Sequence, residues 1–421
     1  MEHVLNVLEN WLNWHVENVP SVILFTSSKR RATLFDRLAM TLLTIASPEQ
    51  CGLDVARWNT ALDLVRSWSE RDDRVPAAAV LVARKSMTPG PQFFGKQRLA
   101  ANSPKLRDDA IFLVASITKP IVCMGAMLLM ERGQLTLNDR VTDFFPEFGA
   151  NGKYATTIRH LLTHSSGLPD MLPNNTELRK AHAPLSAFVT GTCEVTPDFP
   201  PGRAVQYQSK GIAVLAAIME KITGQSCAEF LRREFFEPLG MKDSQLGAPD
   251  DWFVGSAPTV DRIAEIRVPV ELADATDWNW NSRYWRQLGA AWGGLLTTPM
   301  DLGQFAQLML NRGRAGTRQL LSVATVEEST RNQLAAMKDV PEEDRRCKPW
   351  GFGWRLQWSN HANTFGDFVS PTTFGHWGAT GTLLWIDPQR ESFALILTTQ
   401  PLDPNGAPFQ RLSNAITTAF V

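Results

Sequence analysis

Two apolar segments at opposite ends of the chain most constrain its fold. "AAAVLVARK" (77–85) reads as a strand, and "TLLWIDPQRESFALILTT" (382–399) reads as a hairpin, two apolar runs about a polar turn. Strands therefore sit at both ends of the chain, which suggests one sheet built from both, with the intervening residues carried as an insertion. "PQFFGKQ" (91–97) reads as a further strand, joined to the first through a Pro-Gly turn. The terminal "PFQRLSNAITTAFV" reads as a helix.

Helical patterns dominate between these ends. "SKGIAVLAAIMEKITG" places Ile212, Leu215, Ile218, Met219 and Ile222 on one face and stops at Gly224. "SCAEFLRREFFEPLG" opens with Ser226 and Glu229 at capping-box spacing and ends near Pro238. The expected organisation is a sheet domain from 51–150 and 290–421, with a mostly helical domain inserted at 151–289. "MKDVPEEDRRCKP" (337–349) reads as an exposed charged loop. Residues 1–50 read as a helical extension, with Val4, Leu5, Leu8, Trp11, Leu12 and Trp14 at helix-like spacing. Packing on its own domain is favoured over a dimer or membrane-surface contact through the tryptophans.

The chain has 421 residues, which at about 150 per domain predicts two or three structural units. A net charge of -1 gives no electrostatic reason to expect nucleic acid or an anionic membrane. The five cysteines are odd in number, widely spaced and without a C-x-x-C, which fits reduced thiols in a cytoplasmic protein. No apolar stretch approaches the ~20 residues of a membrane helix. "KRRATLFDRLAMTLLTIAS" (29–47) is interrupted by Asp36 and Arg37 and reads as a soluble helix, with a cleaved export signal as the alternative.

The chemistry begins at "FLVASITKPIV", where Lys119 stands in an apolar run three residues after Ser116. Lysine is rarely buried without a partner. Residues three apart share a helical face, so hydroxyl and amine fall side by side. A helix N-terminus and desolvation both disfavour the ammonium form. Such a lysine can take the serine proton at neutral pH. Pro120 is tolerated in a first helical turn. In "AVQYQSKG", Tyr207 and Ser209 precede a helix and can face one cleft. In "FGHWGATGT", glycines let a strand edge approach a ligand closely and offer an N–H to an oxyanion. Each motif alone is weak.

Together, in the order S-x-x-K, Y-x-S, H-x-G, they resemble the serine beta-lactamase and penicillin-binding-protein superfamily. The closer likeness is to its class C-like branch, with family VIII carboxylesterases and D-alanyl-D-alanine carboxypeptidases. "LLMERGQLTLNDRV", "TIRHLLTHSSGLPD", "FPPGRAVQYQSKGIAVLAAIMEKITG" and "WGGLLTTPMDLGQFAQLML" extend it from about residue 55 to the end. The resemblance implies an α+β, beta-lactamase/transpeptidase-like fold, an antiparallel sheet flanked by helices plus the inserted helical domain. It implies Ser116 as acylated nucleophile, with Lys119 and Tyr207 sharing the general-base work. The amides of Ser116 and Ala379 would form the oxyanion hole, and His376, Trp377 and Gly378 would occupy the substrate-binding strand motif.

The departures point from lactams and peptides toward esters. His376 stands in place of a lysine that holds a substrate carboxylate, Trp377 in place of a small hydroxyl residue, and Ser209 in place of asparagine. Trp278, Trp280, Tyr284, Trp285 and Trp292 are equally readable as an acyl pocket or as core. The spacing of His160 and His164 allows a metal pair, but no H-E-x-x-H or third ligand accompanies it, and neither metal nor cofactor is expected. No G-x-S-x-G is present. The expectation is a serine hydrolase that cleaves small neutral esters through an acyl-enzyme. A D,D-peptidase or weak beta-lactamase, and a catalytically silent scaffold, are the alternatives. The oligomeric state stays open.

Overall fold

The computed structural model describes residues 41–357, 365–402 and 407–421. Sequence expectations for residues 1–40 lie outside the described residues. The main sheet contains β1 (Thr44–Ile45), β2 (Ala77–Arg84), β3 (Met87–Thr88), β4 (Gln92–Gly95), β5 (Arg355–Leu356), β6 (Phe374–Gly378), β7 (Thr382–Asp387) and β8 (Ser392–Thr398). Its order is β1-β3-β2-β8-β7-β6-β5, with β4 also paired to β2. Central β2 pairs antiparallel with β8, Leu81 opposite Leu395, so the two chain ends meet in mid-sheet. The β1–β3 pair is parallel, an exception to the antiparallel expectation. Short β3 also occupies the connection read as a simple Pro-Gly turn.

Continuous apolar sequence in β2 follows from cover on both faces. Ala77, Ala79, Leu81 and Ala83 enter one core, while Ala78, Val80 and Val82 enter another. The second core is closed by α1 (Val55–Arg66) and by the C-terminal helix Ala407–Ala419, through Trp58, Val65, Leu412 and Ile416. The first runs without a break from the sheet into α2 (Thr118–Glu131), α3 (Leu185–Glu194) and α4 (Lys210–Thr223). α4 ends as expected, with Gly224 left-handed at φ 68°. Ser226 caps the next helix by accepting from the Glu229 amide.

Two further expectations fail. Thr44–Ile45, within the expected helical extension, is a strand, because pairing with Met87 and Thr88 satisfies its backbone from far along the chain. The charged 337–349 segment contains the helix Glu342–Cys347. Its acidic first turn and basic last turn suit the helix dipole, and the ion pairs Arg346–Glu342 and Lys348–Asp344 span one turn. Among the described residues, no helix is long and apolar enough to cross a membrane.

Candidate active site

The strand Phe112–Leu113 enters a tight turn before α2, with Ala115 in the left-handed region at φ 46°. A non-glycine residue there is strained and needs surrounding contacts to hold it. It delivers Ser116, half-buried, onto a 3-10 turn that leads directly into α2. Lys119, in the first turn of α2, is fully buried, and its Nζ lies 2.8 Å from Ser116 Oγ. The same Nζ donates to the Trp292 carbonyl at 2.8 Å. Burial pushes the Lys119 pKa down to about 7, with Asp170 acting upward and Lys210 downward. Such an amine can exist neutral at physiological pH and accept a hydroxyl proton.

Tyr207 lies before α4 with Lys119 Nζ 4.8 Å from the centre of its ring. Its hydroxyl is buried without a hydrogen bond of good geometry among the described residues, although Ser116 lies near enough to favour the ionised form. Burial outweighs that influence and holds the phenol well above its ordinary pKa, hence protonated. Ser209, the residue before α4, is buried.

β6 forms the opposite wall. A Cβ at Gly378 would meet the Val114 carbonyl at 2.2 Å, so only glycine lets the strand come this close to the serine turn. Ala379, just beyond, is exposed. Among the described residues, neither the Ser116 nor the Ala379 amide donates a hydrogen bond, which leaves both available to a developing oxyanion. Two threonines that the sequence reading passed over fix this approach. Thr380 Oγ1 donates to the Leu113 carbonyl at 2.7 Å, and Thr382 Oγ1 to the Val114 carbonyl at 2.8 Å.

His376 is fully buried, with Nδ1 2.7 Å from the Trp377 carbonyl. That contact makes Nδ1 the protonated nitrogen. Burial, reinforced by Lys119, pushes the imidazole well below its ordinary pKa, so it carries no charge. Half-buried Trp377 stacks on Tyr207 with ring centres 5.4 Å apart.

His164 joins this wall, its ring centre 4.9 Å from that of Tyr207 and tilted by 41°, with Nδ1 accepting from the Gln208 amide. His160 instead accepts from the Thr157 amide at the start of its helix. The possible metal pair is thus divided between two backbone contacts. Of the five expected pocket aromatics, Trp292 reaches the site through its carbonyl. Trp278 and Trp285 flank the Arg179 guanidinium, and Tyr284 donates to the Ala183 carbonyl.

Lys210 also escaped the sequence reading. It is fully buried, with Nζ 4.0 Å from the centre of the Trp292 ring and no hydrogen-bond partner among the described residues. Burial lowers its pKa to about 7, opposed by Asp170 and assisted by Arg179. Asp170 has one carboxylate oxygen buried and unpartnered, and it acts electrostatically on Lys119, Tyr207 and Lys210.

Comparison with known proteins identifies the family and the fold. A Salmonella enteritidis protein assigned by name alone to the D-alanyl-D-alanine carboxypeptidases is 26% identical over 400 residues, covering 87% of this chain and 88% of its own. A penicillin-binding-protein homologue from Caulobacter crescentus superposes with TM-score 0.69 at 21% identity, over 87% of this chain and 99% of its own. A family VIII carboxylesterase superposes with TM-score 0.66 at 21% identity, over 86% and 98%. EstCE1, a hydrolase with promiscuous acyltransferase activity, gives TM-score 0.68 at 19% identity, over 86% and 100%. These structures share the fold. The beta-lactamase family model matches residues 61–417. The chain belongs to the beta-lactamase family and is a serine hydrolase of that fold.

Proposed function

We propose that the protein hydrolyses small neutral carboxylic esters through an acyl-enzyme on Ser116. The observation that carries this reading is the 2.8 Å contact between Ser116 Oγ and Lys119 Nζ, an amine with a pKa of about 7. Neutral Lys119 takes the hydroxyl proton as Oγ attacks the ester carbonyl. The amides of Ser116 and Ala379 receive the developing oxyanion. Tyr207, protonated at the outset, gives its proton to the departing alkoxide and regains one from Lys119. A water then attacks the acyl-enzyme, passing its proton back along the same groups, and releases the acid.

The strand motif favours neutral substrates. Buried, uncharged His376 offers a carboxylate no fixed cation, and Trp377 presents an indole where a hydroxyl would donate. Ser209 supplies a hydroxyl in place of an amide, and Gly378 keeps the strand against the serine turn.

A second reading, a D,D-peptidase, is favoured by Lys210, an unpartnered buried amine electrostatically coupled to Lys119. When protonated, it would give a substrate carboxylate a cation that position 376 does not. The name of the Salmonella relatives points the same way. Mass spectrometry after a fluorophosphonate probe tests the shared mechanism, with the adduct expected on Ser116. An adduct elsewhere, or full activity in Ser116→Ala, overturns it. Turnover of short p-nitrophenyl esters against D-Ala-D-Ala peptides then separates the two readings.

A further inference from the structure

The helical region carries a second concavity, which none of the candidate catalytic side chains lines. A cavity of about 640 Å³ opens between α3, α4 and residues 287–292. α4 turns Ala213, Ala216, Ala217 and Glu220 toward it, positions three or four apart on one face. α3 contributes Leu185 and Val189, both half-buried apolar side chains. Alanines where a core helix would carry larger residues leave the space open. Its volume falls in the range of small-molecule sites, roughly 300–1,000 Å³.

The charges at its edge select the ligand. Glu147, Glu220 and Lys221 line it. The Lys221 ammonium already donates to the Phe144 carbonyl at 2.6 Å and lies 3.9 Å from the centre of the Phe145 ring. Two carboxylates and one committed cation repel an anionic head group. Ser186 and Thr190, exposed on α3, offer hydroxyls to a neutral polar end.

Trp292 links this cavity to the catalytic cleft. It lines the cavity, and its carbonyl holds Lys119 Nζ. We propose that the cavity binds an uncharged amphiphile, an aliphatic chain ending in hydroxyls, at a site separate from the Ser116 cleft. The binding stands independently of the catalytic reading.

The probe is 1-O-decylglycerol, which has no ester to cleave, titrated calorimetrically below its micelle concentration. Saturable binding is expected in the full chain, and it should survive after fluorophosphonate has blocked the serine. Decanoate should bind at least about tenfold more weakly. Ala217→Trp and, from the facing helix, Val189→Trp should each fill the cavity and weaken binding by about tenfold or more with an unchanged melting curve. Two variants from different helices guard against one failing to fold. Absence of saturable binding, decanoate binding as tightly, undiminished binding in folded filled variants, or loss of binding on blocking the serine would each overturn the proposal. Failure of fluorophosphonate to label Ser116 would instead overturn the catalytic reading, and the titration would still decide the cavity.

Discussion

Lys119 Nζ sits 2.8 Å from both the Trp292 carbonyl and the Ser116 hydroxyl. A neutral amine has two N–H donors and one lone pair. With one N–H given to the carbonyl, the lone pair can turn toward the serine. An ammonium has no lone pair to offer, so the protonation state of Lys119 sets whether the contact can accept a proton. The relevant pKa is about 7. For a non-ionising ester, log kcat/KM should therefore rise with a slope of about one below that value and level off above it. A flat profile between roughly pH 5 and 8 would remove Lys119 from the role of base.

The same burial has a stability consequence. The folded pKa of about 7 lies below the ordinary value of 10.5. Between these values the unfolded chain binds more protons than the folded one, so this group makes stability rise with pH across that window. Lys119→Met should lower ester turnover by about 10²–10⁴-fold. It should also raise the melting temperature at neutral pH, by a margin that shrinks toward the ordinary lysine pKa. Thermal melts of both proteins across that window check the sign. A methionine variant less stable at neutral pH would contradict the burial argument.

Thr380 and Thr382 are expected to act by position. Their hydroxyls tie the end of β6 and the start of β7 to the carbonyls of Leu113 and Val114, just ahead of Ser116. Replacing either with valine removes the bond, worth about 1 kcal/mol, and leaves a buried carbonyl short of a donor. The Ala379 amide would then be held less firmly. Thr382→Val should lower kcat about tenfold with KM little changed, and the double variant should lose more. A change confined to KM would show that the threonines shape substrate binding instead.

What could be read from sequence was local or carried by a whole motif. Ser116 and Lys119 meet because they stand three positions apart on one helical turn, and the strands at the two chain ends were legible as uninterrupted apolar runs buried on both faces. The missed parts have no local signature. Trp292 contributes a backbone carbonyl, which any residue could supply. His164 reaches Tyr207 from a left-handed backbone position, φ 57°, distant in the chain. Lys210 sits in the quoted "YQSKG", yet its burial against the Trp292 ring depends on a tertiary contact. The strand at Thr44–Ile45 owes its form to a partner beyond Pro76.

The strand motif should set the substrate class. A lactam carboxylate needs a cation and a hydroxyl at positions 376 and 377, and this chain offers a neutral imidazole and an indole. A neutral ester never uses that grip, so short acyl esters should turn over well and benzylpenicillin poorly. The double variant His376→Lys, Trp377→Thr should shift the ratio of kcat/KM toward the lactam. A charge-assisted hydrogen bond contributes about 1.5–3 kcal/mol, so about tenfold to a hundredfold is the most to expect. His376→Lys alone should gain less, because position 376 is fully buried beside Lys119 and a second cation there would be desolvated and repelled. Removing the indole, which stacks 4.9 Å from the imidazole, should open that position to substrate. Comparison of the single and double variants on both substrates measures this dependence. Wild-type hydrolysis of benzylpenicillin at the rate of its best ester would defeat the ester reading and favour the beta-lactamase alternative.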